Sequence, residues 1–188
     1  MIAPPDRDLL TAAAGGDRGA FAAIVDRHQA AVWRLARALT HSPVEAEDAM
    51  QEAFVAAWKG AQSWDGRGSV RSWLLTLTRH ATFRHLRRRA GEPPRFEPLD
   101  TLARSAGWGE QVDPESLAAA LERRVILQRA LARLSPADRE ILILRELEEL
   151  EGAAVAELLD VSLPAMKSRL HRARLRLVAA VREEVADA

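Results

Sequence analysis

The chain has 188 residues, 48% apolar and 29% charged, with 27 basic and 27 acidic side chains and no cysteine. That length suits one ordinary domain or two small ones, and the composition is that of a folded soluble chain, not a disordered one. Lack of cysteine excludes a disulfide framework and a thiolate metal site, and no apolar run approaches the roughly 20 residues that span a bilayer.

The N-terminus, MIAPPDRDLL, has no basic segment leading into an apolar one. No signal peptide is read there, and a cytoplasmic location is expected. Downstream, Phe21, Ile24, Val25, His28, Val32, Leu35 and Leu39 recur at helical spacing. The next helix begins at Ser42, with Pro43 at its first position and Glu45 at its third, the arrangement of a capping box. Its expected apolar face is Val44, Met50, Ala53, Phe54, Ala57 and Trp58. Gly60 to Gly68 is rich in turn formers and ends it. A third helix follows, with Val70, Trp73, Leu74, Leu77 and Ala81 facing inward, and runs into RHLRRRAGEPP.

Between Gly91 and Pro114 the periodicity collapses under Pro93, Pro94, Pro98, Gly107 and Gly109, the pattern of a linker. Helical spacing resumes near Leu117. LSPADREILILREL repeats the Ser-Pro start, with Ser135 as cap and Asp138 three residues on. The expected architecture is all-α: two small helical domains, 5–90 and 117–185, joined by a flexible linker at 91–116.

Zero net charge conceals segregation. Val44 to Trp58 and Glu146 to Asp160 carry acids and no base, whereas Arg79 to Arg95 holds six arginines against Glu92. Such blocks suit either surfaces for two kinds of partner or helix faces that pair within the chain.

Three stretches bear on function. In VSLPAMKSRLHRARLRL, Met166, Leu170, Ala173 and Leu177 share one stripe. The opposite face centres on Ser168 and Arg172, flanked by Ala165, Arg169, His171 and Arg176, with Lys167 and Arg174 expected nearer the buried edge. A short helix, EGAAVAELLDVS, precedes it, and Ser162 can cap the second. Two helices joined by a tight turn, the second basic and amphipathic, describe a helix-turn-helix. Arginine offers paired donors to guanine, a small serine lets the helix approach, and flanking cations neutralise phosphates.

The second stretch, SWDGRGSVRSWLLTLTRHATFRHLRRR, interleaves aromatics with cations: Trp64, Arg71, Arg79, His80, Phe83, Arg84, Arg87 and Arg88. Single-stranded nucleic acid is held in this way, bases stacking on rings while the backbone follows positive charge. Trp73 reads as core, and Trp64 as either a stacking ring or a loop anchor.

The third is the acidic helix carrying Asp48, Gln51 and Glu52, read as a protein-docking surface. No histidine stands at ligand spacing, and no phosphate loop or nucleophile motif appears, so neither catalysis, a metal nor a cofactor is expected.

Together these stretches resemble the extracytoplasmic-function group of the sigma-70 family, promoter-recognition subunits of bacterial RNA polymerase. AEDAMQEAFVAAW is similar to the polymerase-binding helix of region 2. RSWLLTLTRHATFRHLRRR is similar to the helix after the promoter-melting loop. LSPADREILILREL and VAELLDVSLPAMKSRLHRARLRL are similar to region 4.

The resemblance implies a non-catalytic initiation factor. Asp48, Gln51, Glu52 and Phe54 would dock on core polymerase. Trp64, Arg71, Arg79, His80, Phe83, Arg84, Arg87 and Arg88 would engage the −10 element as it melts. Ala165, Lys167, Ser168, Arg169, His171, Arg172 and Arg176 would face the −35 duplex. Its implied partners are core RNA polymerase, promoter DNA and an anti-sigma factor, for which exposed apolar residues such as Leu175 could serve. The family commonly has Arg-Asn where Arg79-His80 stands, a glycine at Glu149, Ser or Thr at Glu151, and Thr at Ala165. The alternative is a helix-turn-helix regulator that binds duplex DNA without polymerase.

Overall fold

The computed structural model describes residues 3–40, 42–88 and 114–186, with side chains described for 3–40, 42–87 and 122–186. Most of the expected linker falls outside the described residues; its last three, 114–116, already belong to a helix.

Eight α-helices are described: α1 Asp6–Ala14, α2 Arg18–Leu39, α3 Pro43–Gly60, α4 Val70–Arg88, α5 Pro114–Arg133, α6 Pro136–Leu142, α7 Gly152–Leu158 and α8 Leu163–Ala186. No strand occurs among the described residues. The sequence patterns read above did not include α1, a short helix held to α2 by Asp6. Asp6 accepts a hydrogen bond from Arg27 at 2.7 Å and lies 2.8 Å from Nε2 of the buried His28.

The starts of α3 and α6 form as their sequences require. Ser42 accepts from the Glu45 amide while the Glu45 side chain accepts from the Ser42 amide, a complete capping box. Ser135 accepts from the Asp138 amide at 3.1 Å. The face of α3 differs from expectation. Its buried residues are Ala46, Ala49, Ala53 and Ala57, while Val44 is 57% exposed. Met50, Phe54 and Trp58 are half-buried at the flanks. Alanines at i, i+3, i+7 and i+11 let α3 sit closely against α2 and α4, and the larger side chains splay to either side.

The N-terminal core gathers Leu10, Ile24, Val32, Ala53, Ala57, Val70 and Leu74 among others. Another cluster unites Ile141, Leu144, Val155, Met166, Leu170 and Ala173 of the C-terminal helices with Ala31, Leu35 and Leu39 of α2 and Leu75 of α4. The two domains are therefore packed against each other through apolar surface, a contact the sequence reading did not anticipate.

After α6 the chain makes a π turn, Ile143–Leu147, in which the Glu148 amide donates to the Ile143 carbonyl at 2.9 Å. Glu149 then takes a left-handed conformation, φ 52°. A π turn inserts one residue into the helical turn and shifts the side chains beyond it off the preceding stripe. Here that carries Glu148 beneath α2 and α4, where it is 3% exposed.

Candidate nucleic-acid and polymerase interface

Helices α7 and α8 meet through a tight turn in which Asp160 is left-handed, φ 55°. The Ser162 hydroxyl accepts from the Ala165 amide at 3.3 Å, opening α8. Met166, Leu170 and Ala173 are buried and Leu177 packs at the margin, as the stripe predicted. A Cβ on Gly152, at the start of α7, would stand 2.9 Å from the Met166 methyl, so a larger residue there requires that flexible side chain to shift.

The outward face of α8 presents Ala165, Lys167, Ser168, His171 and Arg172 to solvent. Three placements depart from the expectation. Lys167 and Arg174 are exposed and not at the buried edge, whereas Arg169 is half-buried on the side facing Glu140. Arg174 and Arg176 are exposed but committed. Arg174 donates twice to Glu146, at 2.6 and 3.0 Å, and Arg176 donates to both Asp138 oxygens at 2.8 and 2.9 Å. Glu146, at the head of the acidic block, thus pairs within the chain.

The α4 surface is divided in the same way. His80 and Arg87 are exposed, and Phe83 lies half-buried beneath the Arg79 guanidinium, 4.8 Å from the ring centroid. Arg79 Nε donates to Glu140 at 2.8 Å. Arg71 donates to Glu148, whose other oxygen accepts from Arg34 Nε at 2.7 Å. Arg88 is the last residue of α4, and its side chain falls outside the described residues.

Trp64 is an anchor in this conformation. Its ring packs 6.4 Å from that of Trp73, with the Arg7 guanidinium 5.8 Å from its centroid, and its buried indole nitrogen has no hydrogen-bond partner among the described residues.

On α3, Asp48 and Gln51 are exposed. Glu52 turns toward α4, pairing with Arg84 at 2.6 Å and lying 2.8 Å from His85 Nε2, and Phe54 is half-buried against the N-terminal core. A polymerase-facing role and a −10 role, assigned by resemblance to Glu52 and Arg84, therefore meet in one ion pair.

Both buried acids at the domain boundary are shifted, in opposite directions. Burial pushes the Glu140 carboxyl above its ordinary value of 4.5, and Arg79 offsets this only in part. Burial also pushes Glu148 up, but hydrogen bonds and charge from Arg34 and Arg71 outweigh it and hold the group below 4.5.

Arg34, Glu140 and Glu148 escaped the sequence reading. Glu140 did carry a signal, since it sits one turn before Leu144 and so occupies an apolar-stripe position. Among the described residues no group of acids and histidines could hold a metal.

The Sigma-70 region 2 family matches residues 24–92 and the Sigma-70 region 4 family matches residues 124–177. The chain is 34% identical over 172 residues to "ECF RNA polymerase sigma factor SigM" of Mycobacterium tuberculosis, covering 92% of this chain and 82% of that one. The chain belongs to the extracytoplasmic-function sigma factors.

This sigma factor is also 28% identical over 165 residues to SigW of Bacillus subtilis, covering 85% and 87% of the two chains. Its fold is similar to that of CnrH, solved in complex with the cytosolic domain of CnrY, with TM-score 0.66 at 25% identity over 95% and 97% of the chains. RpoE of Bartonella quintana, solved with the anti-sigma factor NepR, shares the fold at TM-score 0.63 and 21% identity, covering 86% and 96%. Sigma factors are non-enzymatic initiation factors, and no described helix of this one is long and apolar enough to cross a membrane.

Proposed function

We propose that this sigma factor binds core RNA polymerase through α3, reads a −35 duplex with α8 and holds the melted −10 strand along α4. The nucleotidyl transfer belongs to the polymerase. The observation that carries the reading is the division of charge between surfaces. Exposed Lys167, Ser168, His171 and Arg172 suit the major groove, while exposed Asp48 and Gln51 stand on a separate helix suited to a protein. A regulator that reads duplex DNA alone would have no use for the region 2 helices.

Domain limits near 5–90 and 117–185, and a cytoplasmic site of action, belong to the same proposal. So does an anti-sigma partner. Leu175, Val178 and Val185 are exposed along α8, at a spacing that suits apolar docking by a protein.

The test is binding of the purified chain to bacterial core polymerase. The control is an Asp48→Arg, Gln51→Arg variant, because Glu52 is engaged by Arg84 and His85 and its replacement would disturb α4. Affinity falling at least tenfold in the variant, with its helical content unchanged, supports the reading. Equal binding by parent and variant overturns the α3 assignment.

A further inference from the structure

Two of the cations proposed to receive the −10 strand, Arg71 and Arg79, already hold anions from the other domain. Arg71 and Arg79 lie on α4, eight residues apart and hence roughly 12 Å along the helix. Each is bonded to a carboxylate from the other domain, Arg71 to Glu148 and Arg79 to Glu140. Those carboxylates are 3% and 2% exposed. Arg34 of α2 donates to the same carboxylate as Arg71. Guanidinium binds carboxylate and phosphate by the same charge-assisted donors, so a carboxylate already in place competes with phosphate for donors and neutralises the charge that would attract it.

The rest of the boundary holds this arrangement in place. Arg139 Nε donates at 2.7 Å to the Ala38 carbonyl in the last turn of α2, where helical carbonyls lack partners of their own. Leu35, Leu39 and Leu75 join the C-terminal apolar cluster. The outward face of α8 takes no part, and Lys167, Ser168, His171 and Arg172 remain in solvent.

We propose that Glu140 and Glu148 are built-in occupants of two strand-binding arginines: the closed chain keeps single-stranded DNA from Arg71 and Arg79 of α4 while leaving α8 open to duplex. The inference rests on the strand-binding role given to α4 above. Its ligand is the phosphodiester backbone of a single strand, which takes the place of the two carboxylates once the domains part. Arg34, absent from the sequence-derived DNA set, becomes part of that anion row. A strand that binds only the open form has its affinity reduced by the open fraction. Weakening the carboxylate contacts therefore raises strand affinity without any new contact.

The experiment uses the full chain and a Glu140→Gln, Glu148→Gln variant, which preserves shape. Its probes are a fluorescein-labelled mixed-sequence 20-nucleotide single strand and a duplex of equal length. Because the chain contains no cysteine, a Gln29→Cys, Val185→Cys pair on exposed positions of α2 and α8 takes two dyes that report domain separation by energy transfer. The expected result is at least a tenfold gain in single-strand affinity, a duplex affinity within threefold of the parent and a fall in energy transfer. Three results overturn the proposal: energy transfer unchanged, domains separated without a gain in strand affinity, or equal gains for strand and duplex, which would mark a simple charge effect. Unchanged energy transfer sinks the closure alone, whereas separated domains that bind strand no better sink the strand-binding role of α4 on which it rests, so the two failures are distinguishable.

Discussion

Arg34 and Glu148 stand 114 residues apart in sequence and 2.7 Å apart in space, the Nε of one donating to a carboxylate oxygen of the other across the boundary between the two domains. Arg71 binds the second oxygen of the same carboxylate. Region 2 and region 4 of this sigma factor are thereby joined at the surface proposed for the melted strand.

The two boundary acids should respond differently to neutralisation. Glu148 is held ionised by two arginines, whereas burial acts against the charge on Glu140. Glu148→Gln should cost about 1.5–3 kcal/mol at pH 7, the range for hydrogen bonds to charged groups, and Glu140→Gln less than about 1 kcal/mol. Urea denaturation of each variant measures the difference, and equal losses would contradict the assignment.

Their pH dependence also has opposite signs. The folded value of Glu148 is depressed, so its contribution is present above the ordinary 4.5 and lost as pH falls through the folded value. That of Glu140 is raised, so its contribution is complete below 4.5 and lost as pH rises through the folded value. On acidification the destabilisation caused by Glu140→Gln should grow as pH falls through the raised folded value and level off below 4.5, whereas that caused by Glu148→Gln should shrink only below 4.5. Denaturation midpoints across pH 3.5–7 report both.

Asp6 ties α1 to α2. Burial raises its carboxyl, but hydrogen bonds and charge from Arg27 and His28 carry it below its ordinary value of 3.8. The depressed value means stabilisation that is present above 3.8 and lost as pH falls through the folded value. Asp6→Asn should lower stability by about 1 kcal/mol at pH 6. The gap to the parent should close as the solution is taken below pH 3.8, a convergence that thermal melts can follow.

Glu149 occupies a left-handed position with φ 52°, where the family commonly has glycine. The side chain costs about 1 kcal/mol there, part of which glycine returns through the entropy of the unfolded chain. Glu149→Gly should raise the melting temperature by a few degrees and leave the π turn intact. A lower melting temperature would show that the Glu149 side chain contributes a contact of its own.

The cations of α8 should separate into two classes in DNA binding. Arg172 is exposed on the outward face, whereas Arg176 is tied to Asp138 by two hydrogen bonds. Arg172→Ala should weaken binding to a −35 duplex by about 1–3 kcal/mol. Arg176→Ala should cost less than about 1 kcal/mol in affinity. Fluorescence anisotropy at several salt concentrations separates the two, and the reverse order would move the DNA face around the helix.

Apart from α1, the sequence alone determined the helices, the caps at Ser42, Ser135 and Ser162 and the two-helix motif, because each depends on residues three or four apart. Ser42 with Glu45, Ser135 with Asp138, and the stripe of Met166, Leu170 and Ala173 are all local relations. Finer placement was less legible. Periodicity places Arg169 in solvent and Val44 in the core, yet Arg169 is half-buried and Val44 exposed, because neighbouring helices decide how far a face extends. The engagement of Arg71 and Arg79 was beyond any periodicity. It requires α2 and α4 to meet the π turn after α6, and the pairings join residues 61, 77 and 114 positions apart. A guanidinium in a sequence announces an affinity for anions; only the tertiary structure decides whether the anion within reach is a phosphate or the protein's own carboxylate.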